Sequence, residues 1–332
     1  MLRISADRMR ETFSTVLQQA GFSLEKAEAC AAIFTENSCD GVYTHGLNRF
    51  PVFVKMVRQG LVDSQAEPML ISKNGLIEQW DGKLAPGMLN GKHCMARAIA
   101  LAEHSGIGCV TIRNTSHWMR GGTYGWQAAD RGYIGICFTN TIANMPPWGG
   151  TDPRLGNNPL VIAVPRKQGH IVLDMAMSQF SFGKLLQYQS EGNTLPHAGG
   201  YDEDGQLSTD PGAIVKSQRL LPVGFWKGSG LSLMLDLLAT ILSSGRSTAE
   251  ITKAGEEYGI SQVFICIKPE DSQLCETLTT QILEYTKSSA AADPGKPVSY
   301  PGEHTLKTRI ENQREGIPVD EKIWNEVLKM LH

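Results

Sequence analysis

The chain is marked first by what it lacks. No stretch of 18 apolar residues occurs, which excludes an ordinary membrane-spanning helix. The most apolar segment, Leu231 to Leu242, is shorter than that and carries Asp236, so it is expected to form a buried helix. There is no CxxC pair, and the seven cysteines (Cys30, Cys39, Cys94, Cys109, Cys137, Cys266 and Cys275) are scattered through apolar segments, as buried free thiols would be in a reducing compartment. The opening MLRISADRMRETF is charged and helix-like, without the apolar region of a secretory signal, and a cytoplasmic location is expected. Excess basic charge is also missing: the net charge of −3 argues against a nucleic-acid or anionic-membrane partner.

Several catalytic signatures are absent as well. No GxGxxG follows a strand, so a dinucleotide, if bound, is not bound on the common Rossmann turn. Gly228-Ser-Gly230 opens a helix but lacks the third glycine. Gly87-Met-Leu-Asn-Gly91-Lys92 is one residue short of a phosphate loop, with His93 where the metal-binding Ser/Thr belongs. GxSxG, HExxH and clustered Cys/His are missing, and no metal is expected. Asp202-Glu-Asp204-Gly lacks the rest of a calcium loop.

What is present is a patterned α+β chain. Phe13, Val16, Leu17 and Ala20 lie at helical spacing over about 6–20, Ser23 is placed to cap a helix to about Ser38, and Thr44 a third ending near Gly60, with Pro51 bending it or delaying its start. A helix near 87–104 precedes the strand 108–112, and a helix near 122–131 precedes the strand 133–138. The strands 159–164 and 170–174 are joined by only Pro165 to Gly169, a link that fits an antiparallel hairpin and not a parallel crossover, so the sheet is mixed. The polar stretch 187–222 has the composition of a lid or arm. A helix over 229–243, a strand at 261–267 and helices at 271–287, 304–315 and 319–331 complete the chain. The expected architecture is a mixed sheet flanked by helices: residues 1–75 and 290–332 form a helical module from both termini, and residues 76–289 an α+β domain.

The most informative stretch is Gly41-Val-Tyr-Thr-His45-Gly-Leu-Asn-Arg49-Phe50-Pro51. His45 and Arg49, four apart at a helix start, would share one face. A guanidinium can clamp a substrate carboxylate in two places, and an imidazolium beside it can protonate an oxygen that becomes an alkoxide. Such a pair is also common on solvated surfaces. Three further stretches place polar side chains at strand ends, where α/β sheets gather ligands: His117 in Asn114-Thr-Ser-His117-Trp118, Asn140 with Thr141, and Asp174. Each of these, taken singly, could instead cap a turn or helix.

THGLNRFP, NTSHW, GNNP at 156–159, LDMAMS and the Lys-Gly-Ser-Gly-Leu run at 227–231 resemble the malate/L-lactate dehydrogenase family of the second type over nearly the whole chain. IEQWD, HWMRGGTYGWQAA, NMPPWGG and GFWKGSG resemble a subgroup acting on a 2-keto sugar acid. The resemblance implies a non-Rossmann mixed-sheet fold, NADH or NADPH as cofactor, a small 2-keto acid as substrate and a homodimer whose cleft uses both subunits. It implies His45 as the acid; Arg49, by its spacing from His45, and His117, Asn140 and Thr141, by their strand-end positions, are the candidates to face substrate. Along the cofactor it places Asp174, Met175, Ala176, Met177, Ser178, Gln179, Phe180, Trp226, Lys227, Glu303, His304 and Thr305. Ser178 and the helix start at Gly228 could donate to the pyrophosphate. Asp174 is also the first candidate to orient His45, with His117 the rival. Malate, lactate, sulfolactate, ureidoglycolate or a cyclic imino acid are the alternative substrates, and a non-catalytic binding protein the remote alternative. NAD against NADP is not decided by these residues.

Overall fold

The computed structural model describes residues 2–331; Met1 and His332 of the expected terminal module lie outside the described residues. In chain order it runs α1 (Ala6–Gln19), α2 (Leu24–Cys39), α3 (Phe50–Arg58), β1 (Met69–Asn74), β2 (Ile77–Asp81), α4 (Gly87–Ser105), β3 (Ile107–Thr115), α5 (Gly122–Asp130), β4 (Ile134–Thr139), β5 (Leu160–Val164), β6 (Ile171–Met175), α6 (Phe182–Ser190), α7 (Pro211–Ser217), α8 (Trp226–Ser243), α9 (Thr248–Lys253), β7 (Ile260–Ile267), α10 (Ser272–Lys287), α11 (Glu303–Glu315) and α12 (Glu321–Lys329). Short two- and three-residue strands lie between these.

The first helices start where their caps dictate. Ser5 and Ser23 each accept a backbone N–H from the first turn, at 3.3 Å, satisfying donors that have no partner inside the helix. Met9, Phe13, Val16 and Leu17 then face one way and are buried. Phe13 stacks on Phe50 at 4.0 Å, and Phe34 meets Phe50 edge-on at 5.2 Å. Trp324 and Val327 of α12 complete this cluster, and Arg3–Ile4 pairs antiparallel with Ile317–Pro318, so the two chain ends meet.

The seven strands form one mixed sheet in the order β1-β2-β3-β7-β4-β5-β6. β2 and β3 are parallel, and every other neighbouring pair is antiparallel. The β5–β6 pair is the expected antiparallel hairpin, with Leu160 opposite Met175. β7 lies at the centre and is almost wholly buried, which accounts for its near-continuous apolar run. With a single parallel pair, this is not a Rossmann sheet. Among the described residues no helix is long and apolar enough to cross a membrane.

Three expectations needed correction, and one element had no forecast. The third helix does not start at Thr44. Residues Tyr43–His45 and Leu47–Arg49 form two 3₁₀ turns, and α3 begins at Phe50 with Pro51 in its first turn, where a missing N–H costs nothing. The hairpin β1–β2 had no sequence forecast, because MLISKN is fully exposed and lacks an inward-facing alternation. The stretch 187–222 is not a bare loop: it carries the end of α6, a hairpin of Gly200–Tyr201 with Leu207–Ser208, and α7, whose N-cap Asp210 accepts from Gly212 N–H at 2.8 Å. Its few apolar residues (Leu195, Ile214 and Leu220) are buried against the sheet. Finally α8, apolar on nearly every side, is buried on one side only. Leu235 and Ala239 face the sheet while Met234, Leu237, Leu238 and Ile241 lie on the surface, Ile241 at 68% exposure.

Candidate active site

The site is assembled where α2, β3 and the loop before β7 converge. Asn37 near the end of α2 donates its amide to His45 O at 3.0 Å and accepts from Thr123 Oγ1 at 3.0 Å. Ser38 Oγ accepts Leu47 N–H at 2.9 Å. Between the two 3₁₀ turns, Gly46 lies so close to Ser38 that a Cβ there would overlap its hydroxyl. This packing, not a common helix face, brings His45 and Arg49 close enough for the Arg49 charge to act on the His45 ring. Arg49 has no ion-pair partner among the described residues, so its fork is free for a carboxylate.

His117 arrives from the end of β3. Its Nδ1 accepts Met119 N–H at 2.9 Å, which leaves the single proton of the neutral ring on Nε2. Two residues near it, Asn114 and Met119, hold positive φ of 50° and 64°. Backbone conformations of this kind persist in non-glycine residues only where the surroundings enforce them. Gly87 contributes to that enforcement: a Cβ there would overlap Ser116 O and stand 2.7 Å from His117 O.

The rings of His45 and His117 stack at 5.6 Å with 19° between planes. His45 Nδ1 lies 3.2 Å from Thr44 Oγ1. Burial, followed by the charges of Arg49 and Arg120, lowers the His45 pKa to about 4. Burial also lowers His117 well below the usual imidazole range, with Arg49 and His45 adding to it. Both rings are therefore neutral near neutral pH while Arg49 is unpaired.

Asp174 is not the partner of His45. Its Oδ2 accepts Gly122 N–H at 2.8 Å and lies 3.8 Å from Arg120 Nε. Burial raises its pKa, and Arg120 and the Gly122 amide act against that. Arg120 is ion-paired to buried Asp40, which also receives Arg309 at 2.5 and 2.8 Å. The chain Asp174–Arg120–Asp40–Arg309 thus ties the end of β6 to α2 and α11. Of the two candidate partners, His117 is the one against the His45 ring.

Asn140 and Thr141 are framework residues. Asn140 donates to Asp236 Oδ1 at 2.9 Å and Arg246 O at 2.8 Å, and accepts Ser261 N–H at 2.9 Å. Thr141 donates from Oγ1 to Asn157 at 3.0 Å and from N–H to Asn158 at 2.9 Å. With their polar atoms committed, they hold the neighbouring loops together.

Glu257 was missed by sequence reasoning. It lies in the short Gly255–Gly259 connection before β7, and its Oε1 is 3.8 Å from His117 Nε2. Oε2 accepts Ile142 N–H at 3.2 Å. Burial raises its pKa, opposed by Arg49 and the Ile142 amide. The only sequence signal was a Glu pair between glycines ahead of a buried strand, more than 200 residues from His45 in the chain.

The residues assigned to a cofactor follow the edge strand β6. Past its end, residues 176–180 lie against the entry to α8: Val223 N–H donates to Met177 O at 2.8 Å and Gln179 N–H to Leu221 O at 2.7 Å. At the strand's other end Val172 N–H donates to Pro301 O at 3.0 Å, just ahead of Glu303, His304 and Thr305. Neither α8 nor α11 has a side-chain cap, but at α8 the N–H groups of Lys227, Gly228 and Ser229 are taken by Gly224 O, Val223 O and Phe225 O, so Gly228 does not keep the free amide expected of it. Among the described residues the first-turn N–H groups of His304 and Thr305 at α11 have no acceptor and are the donors that an anion takes up. Ser178 differs from expectation, because its hydroxyl donates to Phe180 O at 2.7 Å. Glu303 is ion-paired with Lys287.

Comparison with known proteins fits this arrangement. Residues 4–328 match the malate/L-lactate dehydrogenase family. The chain belongs to that family. A 2,3-diketo-L-gulonate reductase of Citrobacter koseri is 44% identical over 330 residues, covering 98% of this chain and 99% of the relative. Escherichia coli proteins of the same name are equally similar, at 44%. Malate dehydrogenase of Entamoeba histolytica superposes with a TM-score of 0.94 at 25% identity, over 99% of this chain and 97% of the other. Sulfolactate dehydrogenase of Methanocaldococcus jannaschii gives 0.88 at 27%, over 99% and 96%. As a member of this family the chain is an oxidoreductase acting on a CH–OH/carbonyl pair, and the family implies a nicotinamide cofactor.

Proposed function

We propose that this oxidoreductase reduces a 2-keto sugar acid at the expense of NADH, converting 2,3-diketo-L-gulonate to 3-keto-L-gulonate. The observation that carries the proposal is the unpaired guanidinium of Arg49 near enough to His45 for its charge to act on the ring, on a chain 44% identical, end to end, to reductases of that name. When bound, the nicotinamide supplies the hydride. The chain's own residues do the rest. Arg49 holds the substrate carboxylate, and His45 delivers a proton to the C2 oxygen. In the free protein His45 is neutral chiefly because it is buried, and the charges of Arg49 and Arg120 add to that. A carboxylate docked on Arg49 offsets one of them and allows the ring to take up the proton it then delivers. In the reverse direction the neutral ring accepts that proton.

Asp174 to Phe180, Trp226-Lys227 and Glu303 to Thr305 would hold the dinucleotide along the edge of β6, its phosphates toward the start of α11 and Lys227. NADH rather than NADPH is our choice, with NADPH as the alternative tested beside it. The uncovered face of α8 supports a homodimer, since apolar patches of that kind mark association surfaces. Sedimentation should give twice the chain mass, and a monomer at all concentrations would contradict it. The unbridged cysteines accord with a cytoplasmic enzyme.

The test is the loss of NADH or NADPH absorbance with a panel of 2-keto acids. The highest kcat/KM is expected for 2,3-diketo-L-gulonate with NADH. Higher values for oxaloacetate, pyruvate, a sulfonated keto acid or a cyclic imine would move the enzyme to another substrate, and no oxidation with any would restore the non-catalytic reading.

A further inference from the structure

We propose that Glu257 and His117 together determine specificity beyond the reacting carbonyl, accepting a neutral hydroxyl of the substrate and turning away a second carboxylate. This rests on the reductase reading above and names the substrate class that its cleft selects.

The geometry is that of an unfilled hydrogen-bond pair. His117 Nδ1 is occupied by Met119 N–H, so its one proton sits on Nε2. That nitrogen faces Glu257 Oε1 at 3.8 Å. An N–H···O bond spans about 2.7–3.2 Å, so the two groups look at each other across a gap without joining. Glu257 cannot swing closer at no cost, because its other oxygen is held by Ile142 N–H. Both side chains are largely covered, 15% and 18% exposed, while Nε2 and Oε1 themselves are not sealed off, so a small polar group can reach both.

A hydroxyl is the group that completes this pair. It accepts from Nε2–H and donates to Oε1, and one oxygen at about 2.8 Å can touch both atoms at this separation. A methyl group leaves both unmet. A carboxylate can accept from His117 but brings a negative charge against Glu257 with no proton to share. The gap also lies in the right place. His117 stacks on the proposed proton donor His45 at 5.6 Å, and the charge of Arg49 acts on His45, His117 and Glu257 alike. A substrate clamped by Arg49 with its C2 oxygen at His45 therefore extends its next carbons toward this pair. The structural neighbours named for malate and sulfolactate act on compounds with a second anionic group, for which an acid at this position is a poor host.

The test compares kcat/KM for 2,3-diketo-L-gulonate, pyruvate and oxaloacetate in the wild-type enzyme, Glu257→Gln and Glu257→Leu, in mildly alkaline buffer. NADH affinity by fluorescence titration verifies that each variant is folded. Glu257→Gln keeps an oxygen acceptor and removes the charge, so the oxaloacetate-to-pyruvate ratio should rise at least about tenfold, equivalent to roughly 1.4 kcal/mol. Glu257→Leu removes the acceptor, so the ratio of 2,3-diketo-L-gulonate to pyruvate should fall about tenfold or more. Should either variant fail to fold, Glu257→Asp keeps the charge on a shorter arm and should retain the bias against oxaloacetate. Equal scaling of all three substrates, or unchanged ratios, would overturn the specificity role while leaving the reductase reading intact. A wild-type enzyme inactive on every keto acid would overturn the reductase reading itself, and with it this assignment.

Discussion

Replacing His45 with alanine should lower reductive turnover about a thousandfold, within the 10²–10⁴ range for a positioned general acid, and leave NADH binding in place. As hydride reaches C2, the carbonyl oxygen gains negative charge that something must neutralise in a cleft with little water. Among the rings there, His117 has its Nδ1 committed to Met119 and its Nε2 aimed at Glu257. His45 is the ring beside the free Arg49 fork, and its Nδ1 is steadied by Thr44. Fluorescence titration with NADH and steady-state turnover on the same sample check the two halves. Wild-type turnover by His45→Ala would remove the acid assignment, and lost NADH binding would show that the substitution damaged more than the proton transfer.

The second large effect is expected at Arg49. Arg49→Gln should reduce kcat/KM for the keto acid about a hundredfold, mostly through KM, because a charge-assisted paired contact with the carboxylate is lost. The same substitution should alter the pH profile in a known direction. Burial holds His45 down at about 4, and of the two charges that add to that effect Arg49 is the first. Removing it raises the His45 pKa, so more of the free enzyme is protonated at a given pH. For the wild-type enzyme kcat/KM for reduction should climb as pH falls toward the value of about 4, about tenfold per unit, and the climb should level off at higher pH in Arg49→Gln. Arg49→Lys, which keeps the charge and loses the fork, should keep the wild-type profile and still show a raised KM. An unchanged KM in Arg49→Gln would refute the clamp.

Much of this was legible in the chain because the signals are local. Ser23 and the short link between β5 and β6 each act within a few residues, so that cap, the hairpin and the mixed sheet follow from spacing. His45 and Arg49 were identified for a reason that proved incomplete. Helical spacing would have put them on one face, but Gly46 and Pro51 break the segment into 3₁₀ turns, and contacts from Asn37 and Ser38 bring the two side chains together. Strand ends correctly drew notice to Asn140, yet a strand end does not say which way an amide is spent, and here Asp236, Arg246 and Ser261 consume it. Glu257, Asp40 and Arg309 carry no local mark at all, since their meaning comes from partners far along the chain. The outward face of α8 was invisible for a different reason: an apolar helix has the same sequence whether a sheet or a second subunit covers it.

The most direct measurement follows the hydride. With NADH carrying deuterium at the transferable position of the nicotinamide and 2,3-diketo-L-gulonate as substrate, the product should hold one deuterium on C2 for each NADH consumed. Label on C3, or NADH consumption without label in the sugar acid, would contradict reduction at the carbon that Arg49 and His45 are placed to serve.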